Sequence, residues 1–168
     1  MTGDPRISAP SRVRLATDGS ILIDSAIPGA AGPRIGLSRL NEEGTVDQRF
    51  QPALSQTDDG TARLDAWDVQ PDGHVVAAAP IRFVRQRADY CLLRFDADGT
   101  NDVAYSEAAM DALYGPAGSR PAAFGCSIGH VTALASGQVL VEGAFPSTGM
   151  RQGVVRLNGD GTLDSSYR

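Results

Sequence analysis

The chain has 168 residues, which is enough for one ordinary domain or a short array of repeats. Its net charge is −5 and all 15 basic residues are arginine, without a cluster dense enough for a phosphate backbone, so nucleic acid is not expected as a partner. No apolar run is long enough to span a membrane, and the N-terminal residues lack the apolar core of a secretion signal, which favours a cytoplasmic chain or part of a larger assembly without fixing the compartment.

In chain order, residues 1–11 contain two prolines and few apolar side chains, and we expect an N-terminal arm. Residues 12–50 predict four short strands, with a tight turn after the first and another after the third. The same pattern recurs at residues 64–105 and 128–168, so residues 12–168 are expected to form a single repeat domain. Each repeat contains a pair of turn glycines: Gly19 and Gly44, Gly73 and Gly99, and Gly137 and Gly161.

An insertion separates the second repeat from the third. It covers residues 106–127 and contains the one segment with helical character. Ser106 is a suitable N-cap, good helix formers follow it, and Gly115 would end the helix. The sequence therefore predicts at most one short helix, near residues 106–113.

The second turn of each repeat predicts a strand register. An Arg lies eight residues before an Asp in all three copies, with the turn glycine between them. If the turn is a three-residue hairpin loop with a left-handed glycine, the Arg and the Asp stand opposite each other on one face. We expect three equivalent cross-strand pairs: Arg39 and Asp47, Arg94 and Asp102, and Arg156 and Asp164.

Four strands per repeat, joined by tight hairpins, are typical of a β-propeller blade. The segments at residues 72–78 and 92–102, with best matches at 141–145 and 163–167, also resemble the bacterial delta-60 repeat. That resemblance implies an all-β fold: a propeller-like array of three four-stranded antiparallel blades. It implies no catalytic residues, and three repeats are fewer than such propellers usually have.

Three blades are too few to close a ring, so both terminal blades would expose an apolar face or an unpaired edge. Three outcomes are open. Two chains could combine into a ring of six blades, the chain could join blades of a different subunit, or the arm and the insertion could cap the ends. The first two make other protein subunits the expected partners, in a homodimer or a hetero-assembly.

Two clusters suggest binding sites. Asp96, Asp98 and Asp102 place carboxylates at positions 1, 3 and 7 of a turn, a pattern that hard cations accept. No cofactor is expected on balance; a calcium site competes with a purely structural turn, because an Arg opposite Asp102 would repel a cation. Trp67, with Asp65 and Asp68 beside it, is either blade packing or an aromatic platform in a carbohydrate or peptide groove.

A Gly-x-Ser-x-Gly motif at residues 125–129 places Ser127 close to His130, with Asp111 as a conceivable third member. A nucleophile elbow requires a strand before the serine and a helix after it, and here a coil and a strand take those places. The motif is therefore interpreted as a coincidence in a glycine-rich loop. The chain's cysteines do not form a framework: Cys91 is expected as a small core residue, and a bond to Cys126 would need an oxidising compartment.

Taken together, these patterns predict a non-enzymatic propeller-type module for interaction or assembly. The alternative is a ligand-binding or hydrolytic propeller with its site near the insertion, around residues 106–130. An enzyme is the less favoured of the two, since no catalytic set emerges from the residues.

Overall fold

The fold is seen in a computed structural model of the chain. The residues it describes are 12–29, 32–50, 52, 64–81, 90–117, 127–145 and 152–167. The predicted N-terminal arm, residues 1–11, lies outside them, as do Gly125 and Cys126. Within the described residues the structure is mostly β, with three antiparallel sheets that follow one another along the chain.

Each sheet is built from consecutive strands, so hairpins connect all neighbours. In the described part of the chain every sheet has three strands. The first contains β1 (Val13–Leu15), β2 (Ile21–Gly29) and β3 (Gly32–Leu40). The second contains β4 (Ala66–Val69), β5 (Val75–Ile81) and β6 (Tyr90–Phe95). The third contains β7 (Ile128–Ala133), β8 (Val139–Ala144) and β9 (Gln152–Leu157).

Glycines in the left-handed region form the tight turns. Gly44 has a φ of 79°, and the amide of Asn41 donates to the carbonyl of Thr45 at 2.8 Å. Leu40 then pairs with Val46 in a single antiparallel bridge. The other two repeats make the equivalent bridge, so the predicted hairpin register is confirmed.

The predicted fourth strand of each blade is not confirmed. Only one bridge follows the second turn in each repeat, and the chain then turns back. The physical reason lies in the aspartate after the bridge. Its carboxylate accepts the main-chain amide two or three residues further on, as Asp47 does from Arg49 at 2.9 Å, and this bends the chain out of the extended conformation.

Helix α1 (Val103–Tyr114) is longer than predicted and begins three residues earlier. Its N-cap is Asp102, whose Oδ1 accepts the amide of Tyr105 at 3.0 Å, and not Ser106 as the sequence suggested. Ser106 instead lies inside the first turn, where its Oγ donates to the carbonyl of Asp102. No helix among the described residues is long and apolar enough to cross a membrane.

The core runs through all three sheets and helix α1. Strand β4 contacts both β1 and β7, so the middle sheet is packed between the outer two. Helix α1 packs on β6 and buries side chains on one face, among them Ala109, Met110 and Leu113. Burial of these apolar surfaces is the main stabilising contribution available to a fold of short strands.

Cys91 lies in β6 and is fully buried. It is disulfide-bonded, which corrects the expectation of a free thiol that serves only as a small core residue. The chain's other cysteine, Cys126, lies outside the described residues. A cross-link of this kind reduces the conformational freedom of the unfolded chain and so stabilises the fold.

The close approach of the last turn to helix α1 gives a first testable prediction. Gly161 has a φ of 87°, and a Cβ added there would lie 2.6 Å from the carbonyl oxygen of Tyr105. We expect Gly161→Ala to lower the free energy of unfolding by about 1 kcal/mol through the left-handed backbone and by about 1–3 kcal/mol more through the clash. Urea denaturation followed by circular dichroism measures this loss.

Gly137 provides the matched control for that variant. Its φ is 81°, but an added Cβ would meet no atom within 4 Å. Gly137→Ala should therefore show only the backbone contribution. Equal losses for the two variants would contradict the packing of the Gly161 turn against α1.

Candidate functional site

The predicted Arg and Asp residues are in contact in every repeat. Arg39 donates to Asp47 Oδ2 from Nε at 3.1 Å and from Nη2 at 2.9 Å. Arg156 reaches Asp164 Oδ2 at 2.7 Å. Arg94 makes the same pair with Asp102, with an Nε distance of 2.8 Å. The aspartates are mostly covered, so these pairs are screened less than surface ion pairs.

The two carboxylate oxygens of each aspartate have different roles. Oδ2 accepts the arginine, and Oδ1 accepts the amide of the following turn or helix. That amide belongs to Arg49 in repeat one, Tyr105 in repeat two and Ser166 in repeat three. Each aspartate therefore couples the hairpin register to the direction in which the chain leaves the repeat.

An aromatic ring completes each cluster, and the sequence analysis did not predict this stacking. The guanidinium carbon of Arg39 lies 5.2 Å from the ring centre of Phe50. The matching distances are 3.9 Å for Arg94 and Tyr105, and 4.8 Å for Arg156 and Tyr167. The signal was present as a constant spacing of eleven residues between arginine and aromatic. Such cation–π contacts stabilise most when the pair is shielded from water.

The arginines also connect neighbouring repeats. Nη1 of Arg39 donates to the main-chain carbonyl of Ala97 at 2.6 Å, in the second turn of repeat two. Nη1 of Arg94 donates to the carbonyl of Gly159 at 2.7 Å, at the equivalent position of repeat three. Both contacts run in the same direction, from one repeat to the turn of the next.

Trp67 lies between repeats one and two. Its side chain is 1% exposed, and its Nε1 donates to Asp24 Oδ2 at 3.1 Å. Arg14 covers the ring at 5.9 Å and pairs with Asp68 Oδ1 at 2.9 Å. The structure therefore places Trp67 in the contact between repeats and does not present its ring as an open platform.

The two aspartates named with Trp67 are also held by neighbouring repeats. Asp68 Oδ2 accepts the amide of Ala133, in repeat three, at 3.0 Å. The carbonyl of Asp65 accepts Nη2 of Arg12, in repeat one, at 2.9 Å. These contacts join all three repeats through the first strand of the middle one.

The carboxylates proposed for calcium are engaged by the turn itself. Asp98 Oδ1 accepts both the amide and the hydroxyl of Thr100, at 2.9 and 2.7 Å. Asp96 Oδ2 accepts the same hydroxyl, and Asp102 is held by Arg94. In the part of the chain that the structure describes, no group of three or more acidic, histidine or cysteine side chains is placed to hold a metal ion.

The serine motif gains no support from the placement of its members. His130 is exposed and lies 3.8 Å from Glu142, and no hydrogen bond joins it to Ser127. Asp111 lies on helix α1. The first two residues of the motif, Gly125 and Cys126, are outside the described ranges.

Hydrogen bonds lower the pKa of the clustered aspartates and so predict a pH dependence. The amide and guanidinium of Arg49, together with Arg39, lower the pKa of Asp47 from 3.8 to about 2. The hydroxyl and amide of Ser166, with Arg156, lower the pKa of Asp164 to about 2. A depressed folded-state pKa stabilises the fold above the unfolded value of 3.8, and this contribution is lost as the pH falls through about 2.

We therefore expect the urea midpoint to fall between about pH 4 and about pH 2. In Asp47→Asn/Asp164→Asn the fall should be smaller, because the asparagines do not titrate. Asp111→Asn, whose carboxylate lies outside the clusters, serves as the control. An unchanged pH profile in the double variant would show that these two carboxylates do not stabilise the fold.

Repeated antiparallel sheets with arginine-linked turns define the chain as a β-propeller-type repeat protein. The model of a family described as "Domain of unknown function (DUF5122) beta-propeller" matches residues 70–104 and 134–167, which supports a propeller-like repeat family. No curated protein matches the chain. Its similarity to the delta-60 repeat remains a resemblance carried by the residues.

Among solved structures, the chain is similar to a crystal structure of a puromycin hydrolase mutant complexed with PGG. The TM-score is 0.52 and the sequence identity 15%, over 93% of this chain and 20% of that one. This likeness shows the fold. The chain spans about a fifth of the length of that hydrolase chain.

Proposed function

We propose that this protein is a non-enzymatic β-propeller-type module whose function is to assemble with further protein subunits. The observation that supports the proposal is a difference between terminal and internal repeats. Positions that are buried where a repeat has a neighbour are exposed where it has none. The surface left open is therefore the kind of surface that this chain already uses for packing.

Three positions carry the comparison. Val13 of repeat one is 57% exposed, whereas Trp67, its equivalent in repeat two, is buried. Val154 of repeat three is 45% exposed, whereas Leu37, its equivalent in repeat one, is 2% exposed. Exposed apolar surface of this kind is typical of interaction sites.

The same difference appears in the aromatic residue of the Arg–Asp–aromatic cluster. Tyr167 is 38% exposed, whereas Phe50 and Tyr105 are buried. The cluster is otherwise conserved in geometry across the three repeats, so the missing neighbour accounts for the exposure. Tyrosine is among the residues enriched at protein interfaces.

Sedimentation velocity on the full chain, over a range of concentrations, tests the assembly function. We expect species of more than one chain that gain population as the concentration rises. A monodisperse monomer throughout would contradict the proposal.

The alternative function, a ligand-binding or hydrolytic propeller with a site near residues 106–130, rests on the likeness of fold to the hydrolase and on the serine motif. An ester-hydrolysis assay with Ser127→Ala as the matched variant separates it from the assembly function. Turnover that disappears in that variant would support the hydrolase.

A further inference from the structure

The arginine contacts between repeats form a series with two open ends. Arg39 reaches the turn of repeat two, and Arg94 reaches the turn of repeat three. Arg156 holds the third position, and among the described residues its Nη1 has no acceptor, although Nε and Nη2 are engaged by Asp164 and Ser166. The turn of repeat one is the only one of the three described turns that receives no arginine.

The carbonyl that would complete the series belongs to Glu42. It occupies the position held by Ala97 in repeat two and by Gly159 in repeat three, two residues before the turn glycine. No hydrogen bond to this carbonyl is made by the described residues. The donor and the acceptor missing from the series are thus both present in the same chain, at its opposite ends.

The charges at the two ends are complementary. The turns that receive an arginine carry an acid one residue before the glycine, Asp98 and Asp160, and the arginine of the preceding repeat contributes to the lowered pKa of each. Repeat one has Glu43 at this position. Asp18 and Glu42 lie beside Glu43 around a surface depression of about 420 Å³. An incoming guanidinium would therefore meet an acidic surface.

We propose that the occupant of both ends is a second copy of this chain, bound head to tail. Arg156 of each copy donates to the main-chain carbonyl of Glu42 in the other, and two identical contacts close a ring of six repeats. This inference rests on the proposed assembly function and names its partner and its interface. A heterologous contact that is made twice in this way closes with two-fold symmetry.

Apolar side chains complete the same contact. Val154 and Tyr167 are exposed at the repeat-three end, and Val13 and Leu15 at the repeat-one end. In the internal contacts the equivalents of Val13 and Val154 are buried, so the second copy would cover them as a neighbouring repeat does. The contact then joins an apolar centre to a polar arginine–carbonyl bond, as is usual for stable interfaces.

Two charge variants test the interface, one at each end. Leu15→Asp places a charge at the repeat-one end, and Val154→Asp places one at the repeat-three end. Both side chains are exposed in the single chain, so each variant should fold, which far-UV circular dichroism checks. We expect self-association of each to weaken by about a hundredfold or more. Val103→Asp, an exposed position at the start of α1, is the control and should associate normally.

Mixing the two variants tests the head-to-tail arrangement. Each variant alone has two damaged contacts in a ring, whereas a mixed dimer combines both damaged ends in one contact and leaves the other intact. We expect the mixture to form dimers that neither variant forms alone. An isologous interface would instead be damaged by only one of the two substitutions, and that result would overturn the arrangement.

The outcomes separate this inference from the assembly function. If the wild-type chain is a monomer at all concentrations, both fail. If it associates but neither charge variant affects association, the interface is wrong and the assembly function survives. If it associates only with a different protein, the second copy is the wrong partner.

Discussion

Replacing Trp67 with alanine is expected to lower the free energy of unfolding by about 3–5 kcal/mol, the usual cost of truncating a buried aromatic side chain. The ring is 1% exposed and lies between repeats one and two. Its removal also deprives the buried carboxylate of Asp24 of a hydrogen bond of 3.1 Å. Urea denaturation followed by far-UV circular dichroism measures the loss without relying on tryptophan fluorescence.

Trp67→Phe is the matched variant, because it keeps most of the apolar volume and removes the indole donor. Its loss should be smaller, about 1–3 kcal/mol, the cost of an unsatisfied buried acceptor. A loss below about 1 kcal/mol for Trp67→Ala would show that repeats one and two are not held together across this ring.

Arg94→Ala is expected to be as damaging, at about 3–5 kcal/mol, because it leaves a covered carboxylate without its partner. Arg94 pairs with Asp102, stacks on Tyr105 at 3.9 Å and donates to the carbonyl of Gly159 at 2.7 Å. Its side chain is among the most covered of the three cluster arginines. Equilibrium denaturation of the variant gives the loss.

Arg156→Ala is the control, since Arg156 makes the same pair within its repeat but has no described acceptor in a following one. Measured at a concentration where the chain is monomeric, its loss should be clearly smaller than that of Arg94→Ala. Equal losses would mean that the contact between repeats adds nothing to the pair within a repeat.

The hairpin register could be predicted because it depends on local chemistry. A glycine that must adopt a positive φ, and a fixed spacing from Arg39 to Asp47, determine which residues stand opposite each other. The fate of the chain after Asp47 or Asp102 could not be predicted in this way. An aspartate suits both a strand end and a helix cap, and the helix formers after Tyr105 decide the matter only in repeat two.

The role of Trp67 and the reach of Arg39 and Arg94 were beyond prediction for a different reason. Both depend on which repeats become neighbours and on the distance between their turns, and the spacing of residues along the chain does not contain that distance. Sequence alone left Trp67 open between packing and a platform. Its burial against Asp24 places it in the packing.

The divided carboxylate of Asp47, Asp102 and Asp164 has a consequence for how this architecture tolerates change. One oxygen secures the hairpin and the other receives whatever main-chain amide comes next, so the repeat is completed before the following segment begins. In repeat two that segment is a twelve-residue helix, and in repeat one it is a single turn. The residue after the aspartate is thus a natural junction for grafting a foreign segment, because new sequence placed there meets an amide acceptor that is indifferent to its length.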